Sequence, residues 1–448
     1  MTEFEIEFAR FCETYGKPDR IELMLCDINA VLRGKWLPGD QIDKFAKNAV
    51  RLPLSTYAPN IMGSEVEETG YGIVAGDPDG TIVPVPGSLK PVPWANGNVA
   101  QVLVEMIDET GGICGLSTRL HLKNVADRFT AEGLHPVVAT ELEFYIVKNR
   151  PDISDAPTPP SGLPDAQNYD LEVLNQTEAI MNEILDAAKI QGLATDTLIA
   201  EYGPGQFEVN FHHTDDVLAA ADTALLFKRL VIGVVNKHGL EATFMAKPYA
   251  HEPGNGMHVH ASVLDQAGNN IFASETQDQV SPRLKAAVGG VLATMRDMQA
   301  VFAPHMNSYR RFQPNSFAPS APDWGIDHRG AGIRLPEING PAARLEHRIS
   351  GADVNPYLVL AAILGGMHYG LHNACELPPP LDDKAVGATK PLSHDWTTAV
   401  TTFQGSRFAA DLFGEDYRRI YSAVRQDEIA QLTSIITPAE YRYYLSRL

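Results

Sequence analysis

Residues 135–147 read HPVVATELEFYIV, an apolar run interrupted by two carboxylates at alternate positions. Successive side chains of a β-strand point to opposite faces, so Glu141 and Glu143 share one face of the strand this run predicts. Their neighbours are Val, Leu, Phe, Tyr and Ile, which marks the strand as mostly buried. An ionised carboxylate in such surroundings is costly unless partnered, and otherwise takes up a proton. Whatever fold the chain adopts must bring compensating groups to that face.

The same alternation picks out two more rows and a turn. Gly256–Ser262 aligns His258, His260 and Ser262, and Ala343–Ile349 aligns Arg344, Glu346 and Arg348. In EYGPGQFEV, Glu201 and Glu208 flank a Gly-Pro-Gly turn that can fold one back toward the other. Alone, each signal is weak: E-x-E is most simply a solvated face, H-x-H a satisfied pair, R-x-E-x-R an ion-pair ladder. Together they predict a site. Five carboxylates gathered with a histidine repel unless cations sit among them, and an oxygen-rich set favours Mg²⁺ or Mn²⁺ over zinc.

A second cluster is cationic. Arg310, Arg311, Arg329 and Arg334 fall within NSYRRFQP…DWGIDHRGAGIRLP, with Arg344 and Arg348 following. Guanidinium forks suit phosphate and carboxylate. In a chain of formal net charge -20, that concentration predicts an anionic substrate, with Arg310 read as an ordinary ion-pair partner. Metals plus arginines describe phosphoryl transfer. The chain has no Walker A motif and no GxGxxG after a strand, so neither a P-loop nor a Rossmann site is expected to hold the nucleotide.

Bulk properties set the frame. A chain of 448 residues, 44% apolar and 21% charged, is an ordinary globular protein of two or three domains. Its acidity speaks against nucleic acid as a partner. Cys12, Cys26, Cys114 and Cys375 form no CxxC pair, a spacing that suits reduced thiols. The acidic MTEFEIEFARF opening lacks the regions of a signal peptide. Tyr357–Leu371, the longest apolar stretch, carries His368 and is short for a membrane span, so it reads as a buried helix. A cytoplasmic protein with no membrane partner is expected.

Residues 1 to about 110 read as a small β-rich domain, with strands at Ile21–Asp27 and Gly97–Ile107 and turns at GDPDG and PVPGSLKPVPW. Beyond it, the spacing predicts a helix over Thr118–Glu132 and a loop over Arg150–Gln167. Helices are expected over Glu172–Gln191 and Asp215–His238, on either side of a strand at Gly205–Phe211. Strands and loops alternate from Tyr249 to Arg348, and another loop spans 378–391. The class is α+β.

At these residues the chain resembles the glutamine synthetase superfamily, and within it the bacterial γ-glutamylpolyamine (γ-glutamylputrescine) synthetases. ELEFY, EYGPGQFEV, FMAKPYA…GNGMHVHAS, NSYRRFQP, WGIDHRG and RLEHRISGADVNPYL carry the resemblance between residues 140 and 360. DINAVLRGKWLP and EETGYGIVAGDPDG extend it more weakly over nearly the whole chain. The resemblance implies an N-terminal β-grasp domain (1–112) and a catalytic domain (113–448) with a curved antiparallel sheet. It implies a dodecamer of two stacked hexameric rings, with each site shared between neighbours.

It also implies roles. Glu143, Glu201 and Glu208 would hold one metal; Glu141, His258 and Glu346 would hold another beside the ATP phosphates. His260, Ser262 and Arg344 match nucleotide contacts. Gly254, Arg311 and Arg348 match the glutamate site, and Arg329 and Arg334 surround the transferred phosphate. The implied reaction phosphorylates the γ-carboxylate of glutamate, whose oxygen is otherwise a poor leaving group, and an amine then displaces the phosphate. Only an unprotonated amine attacks, so a carboxylate near the nucleophile is needed; Glu201 is the candidate.

Three departures from the ammonia-using members bear on the acceptor. Phe317 stands where their flap carries a proton-accepting glutamate, and no residue from Gln313 to Ala321 is acidic. Around Ser55–Gly63 the chain reads STYAPNIMG, without the aspartate that binds ammonium. Cys375 replaces the tyrosine that regulated members adenylylate. The first two predict an organic amine, a polyamine or a small primary amine, as substrate. The alternatives are an ammonia-using glutamine synthetase with another base, a catalytically silent homologue, and a guanido-type phosphotransferase.

Overall fold

The computed structural model describes residues 2–448 except 275, 277, 278, 314–316, 374 and 382–389. Two sheets organise the chain. The first is a mixed sheet in the order β2-β1-β6-β4-β3. Its strands are β1 (Arg20–Cys26), β2 (Leu32–Pro38), β3 (Arg51–Pro53), β4 (Asp79–Pro84), β5 (Lys90–Pro91) and β6 (Val99–Ile107). The central pair, β1 and β6, runs parallel, which is the core of a grasp-type sheet. A helix over Glu3–Tyr15 covers it with Phe4 and Phe11, and Thr2 and Glu5 close a capping box at its start.

The second sheet carries the alternating rows. It comprises β7 (His135–Lys148), β8 (Thr195–Ala200), β9 (Gln206–Phe211), β10 (Leu240–Thr243), β11 (Met257–Leu264), β12 (Trp324–Ile326), β13 (Ile333–Glu337) and β14 (Arg344–His347). Its order is β12-β13-β14-β11-β7-β9-β8, with β10 on the far half of β7. All its pairs are antiparallel except β12 with β13. Along β7 the residues from Pro136 to Phe144 alternate between buried and half-buried, 145–147 are buried on both faces, and the end residues His135 and Lys148 are exposed.

That switch fixes which way the carboxylates point. Phe144 packs on Phe207, Phe227 and Phe244 behind the sheet. Burying one such ring contributes about 1.5–3 kcal/mol. A register slip of one residue would turn the phenyl outward and put Glu143 into that aromatic cluster.

Four long helices back this sheet: Thr118–Ala131, Val217–Lys237, Pro282–Thr294 and Pro356–Asn373. The last is the apolar stretch read as a buried helix, and most of its residues are buried. No helix among the described residues is long and apolar enough to cross a membrane. The four cysteines are all free thiols.

Two expectations about helices need correcting. The reading of 249–348 as strands and loops missed Pro282–Thr294, whose Gly289-Gly290 pair argues against a helix by propensity. Tertiary contact explains the glycines. A Cβ on Gly290 would lie 2.2 Å from the Gly366 carbonyl, and one on Gly370 would lie 2.0 Å from that of Ala286. Two helix backbones meet there, and only glycine allows it. The predicted helix over 172–191 is instead two, Leu171–Gln176 and Glu178–Gln191. Thr177 divides them because its hydroxyl bonds back to the carbonyls of Val173 and Leu174. Much of the predicted loop at 378–391, namely 382–389, lies outside the described residues.

Candidate active site

The open face of the second sheet forms one cavity of about 1190 Å³, and every site residue proposed from the sequence lines it. The strand register explains the gathering. Glu143 pairs across to Glu208 on β9, Glu141 to His258 on β11, and His260 to Glu346 on β14. Residues directly opposite on one face lie within side-chain reach. Four strands thus deliver four carboxylates and two histidines to one surface. Glu201 arrives differently, from the end of β8, where the Gly-Pro-Gly turn brings its backbone NH to the Gln206 carbonyl at 2.9 Å.

Hydrogen bonds set the histidines. Nδ1 of His260 accepts from Nε of Arg344 at 3.2 Å, so the ring proton belongs on Nε2. That nitrogen then donates to Oε1 of Glu141 at 2.9 Å. His258 meets the other oxygen of Glu141 through Nδ1 at 3.0 Å, with its Nε2 3.9 Å from Glu143. Burial works against the charge on Glu141, but these two imidazoles hold its carboxyl well below the usual range.

The opposite happens on β8 and β9. Burial first, then the charges of Glu141, Glu143 and Glu201, pushes Glu208 well above its ordinary value. Burial and the charge of Glu143 raise Glu201 to about 7. Glu141, His258 and Glu346 offer donor atoms within 4.8 Å of one another, and so do Glu143, Glu208 and His258. Glu201 stands outside both compact sets, whereas the family resemblance grouped it with Glu143 and Glu208. The donors are carboxylate oxygens plus one imidazole, and the carboxylates on β8 and β9 repel each other. Both features fit Mg²⁺ or Mn²⁺.

Across the cavity Arg311, Arg334 and Arg348 are already engaged. Both oxygens of Glu346 accept guanidinium hydrogens, one from Arg348 and the other from Arg334 at 2.9 Å. Arg334 also reaches Asp327 at 2.6 Å, and Nε of Arg348 donates to the Arg329 carbonyl at 3.2 Å. Within the row read as an ion-pair ladder or an anion site, Glu346 thus pairs with Arg348, which lies just beyond β14, while Arg344 turns to His260 and the Ala342 carbonyl. Arg311 is buried, with Nη1 on the Ile349 carbonyl at 2.8 Å. A Cβ at Gly254 would come within 2.8 Å of Cγ of Arg311 and 2.5 Å of the Ala246 carbonyl. Glycine there is what lets the arginine lie across the cavity wall.

Phe317, with a left-handed φ of 59°, is 72% exposed and its ring lies 5.3 Å from that of Tyr202. The three residues before it are outside the described set. Sequence reasoning missed several neutral or solvent-facing partners. Gln206 reaches Glu143 at 3.3 Å and the Gly254 carbonyl at 3.1 Å. Asn210 donates to Glu208 at 3.2 Å. Tyr169, Tyr202 and Asp327 were likewise unmarked; the signal available for Gln206 and Asn210 was strand parity with Glu208.

Residues 115–444 match the model of the glutamine synthetase catalytic domain. The chain belongs to the glutamine synthetase family. It is 37% identical to the γ-glutamylputrescine synthetase of Escherichia coli (strain K12), over 99% of this chain and 95% of that protein. It is 31% identical to a glutamate–isopropylamine ligase of a Pseudomonas species, over 95% of each. Among solved structures, GmaS in complex with ADP superposes with a TM-score of 0.85 at 27% identity, covering 98% of this chain and 99% of that one.

Proposed function

We propose that this chain is an ATP-dependent ligase that phosphorylates the γ-carboxylate of glutamate and couples it to an organic amine. The products are a γ-glutamyl amide, ADP and phosphate. The observation that carries this reading is the two-sided cavity, with carboxylates crowded on β7 and β9 facing arginines on β13 and β14. The identities of the relatives support a glutamate–amine ligase, since those named act on putrescine and isopropylamine.

In this reading Glu143 and Glu208 hold one Mg²⁺ or Mn²⁺, and Glu141, His258 and Glu346 hold another. The bound ions supply charge neutralisation at the phosphates during transfer. His260, Ser262 and Arg344 hold the nucleotide. Arg311 and Arg348, beside Gly254, grip glutamate, and Arg329 and Arg334 face the transferred phosphoryl group. Its charge is spread over three oxygens, which guanidinium forks match.

Glu201 takes the proton from the incoming ammonium. Support comes from its place outside the compact donor sets and from its carboxyl, raised to about 7, near the pH at which a base works best. Tyr202 follows it in the chain and its ring meets that of Phe317 in the same cavity, and an aromatic face attracts an alkylammonium. Phe317→Ala is expected to lower kcat/KM for the alkylamine about tenfold, leaving the KM for ATP unchanged; equal losses for both would refute the assignment.

We assign residues 1–112 to the β-grasp domain and 113–448 to the catalytic domain. Support comes from the six strands of the first sheet, all of which precede residue 112. We also propose the dodecamer of two hexameric rings, in the cytoplasm. Residues 55–63 lie against the Glu415–Thr433 helix, through Asn60 to Asp427 and Ile61 to Glu428. That loop does not line its own cavity, an arrangement that suits a site shared between neighbours. Light scattering measures the assembly.

The deciding experiment is phosphate release with Mg²⁺, ATP, glutamate and a panel containing putrescine, spermidine, ethanolamine, isopropylamine and ammonium. Turnover with at least one alkylamine well above ammonium is expected. Turnover with ammonium alone would return the chain to an ordinary glutamine synthetase, and phosphate passing to a stable acceptor would indicate a phosphotransferase.

A further inference from the structure

Away from the cavity, the Pro356–Asn373 helix presents His368 and His372 at i, i+4 spacing, which stacks both rings on one face. Their centroids lie 4.3 Å apart at an interplanar angle of 29°. The edge of Phe129, from the Thr118–Ala131 helix, fixes His368 at 5.1 Å. Glu132, the residue that ends that helix, faces both histidines: its Oε1 is 2.9 Å from Nε2 of His368 and 3.1 Å from Nε2 of His372. None of the three lines the cavity.

The tautomer of His372 makes this arrangement unusual. Its Nδ1 lies 2.8 Å from the His368 carbonyl. A carbonyl only accepts, so Nδ1 carries the hydrogen. The neutral ring then aims its Nε2 lone pair at a carboxylate oxygen, acceptor against acceptor. A cation between the groups resolves that clash. A backbone-bonded Nδ1–H is also the outer contact that metal-bound histidines typically make.

We propose that Glu132, His368 and His372 form a second metal site, for a borderline divalent cation of the Zn²⁺ type. Two imidazoles and one carboxylate suit such an ion better than Mg²⁺. With bonds of about 2.0–2.2 Å at tetrahedral angles, the ligand atoms would sit about 3.3–3.6 Å apart. The present separations of 2.9 and 3.1 Å need only a slight opening. Glu132 and His372 keep 37% and 47% of their side-chain surface exposed, so an ion can enter from solvent. It would tie together the two helices that carry these ligands, close to where the chain turns into β7. Three protein ligands leave the fourth position to water.

The test measures zinc retained by the full-length protein after dialysis in excess Mg²⁺, which occupies the carboxylate cavity. It compares the parent with His368→Gln/His372→Gln and, separately, with Glu132→Gln. The parent should keep one more equivalent of Zn²⁺ per chain than the double variant. Bound Co²⁺ should give the parent a visible absorption band that the double variant lacks, and Glu132→Gln should weaken retention. Cooperative melts in Mg²⁺ alone check that each variant folds. Equal zinc in parent and variants, with the same Co²⁺ spectrum, would overturn the site and leave the cluster holding a proton only. Because none of these readouts involves turnover, the result is independent of the ligase reading.

Discussion

The two walls of the cavity handle buried charge in contrasting ways. On β14, Glu346 is 1% exposed, yet both its oxygens accept from guanidinium groups, and its carboxyl lies below the ordinary range: burial alone would raise it, but His258 and Arg348 outweigh that. Just past β8 and on β9, Glu201 and Glu208 are pushed up by burial and then by the carboxylates they face. One wall is internally neutralised and the other is short of positive charge. The difference teaches how a single cavity can take up two kinds of ligand. The carboxylate wall gains by accepting a cation, whereas the arginine wall admits an anion by exchanging one partner for another.

The sharpest way to break this contrast is to remove one carboxylate from the crowded wall. Glu208→Gln should reduce turnover about 10³-fold, the scale of losing several kcal/mol of charge stabilisation, measured as phosphate release at saturating ATP. In the absence of metal the variant should melt no lower than the parent, because it removes repulsion while the glutamine oxygen can still accept from Asn210.

On the other wall the sign reverses. Glu346→Gln leaves Arg334 and Arg348 without their buried counter-charge, a change that typically destabilises by about 3–5 kcal/mol. Chemical denaturation without metal measures it. If Glu208→Gln and Glu346→Gln destabilise equally, the distinction between the walls fails.

A smaller effect comes from pH. Glu201 rises from 4.5 to about 7 in the fold, so the folded protein holds a proton that the unfolded chain has released. The metal-free fold has this contribution in full below about 4.5 and loses it as pH rises through about 7. A divalent cation held by Glu143 and Glu208 favours the ionised form of the neighbouring Glu201 through its charge. The rise in melting temperature on adding Mg²⁺ should therefore grow from pH 6 to pH 8, and a constant increment would show that Glu201 does not titrate with the metal.

Much of the site was legible because strand periodicity is simple. Glu141 with Glu143, and His258 with His260, announce a shared face by spacing two apart, and apolar neighbours announce that the face is part of a buried sheet. Pairing register was not legible: nothing local to Glu208 says that it lies opposite Glu143, and the grip of Arg334 on Glu346 depends on two strands meeting. Gln206 and Asn210 escaped notice because neutral amides carry no charge requiring compensation. The Pro282–Thr294 helix was hidden for a different reason. Its glycines oppose helix by intrinsic preference, and only the facing backbone of the Pro356–Asn373 helix explains them.

The most direct test of the account follows one oxygen atom. Glutamate labelled with oxygen-18 in its γ-carboxylate is incubated with Mg²⁺, ATP and the best amine, and the released phosphate is analysed by mass spectrometry. If the carboxylate is phosphorylated and the amine then displaces the phosphate, each phosphate carries one labelled oxygen and the amide keeps the other. Unlabelled phosphate alongside amide formation would contradict the proposed reaction.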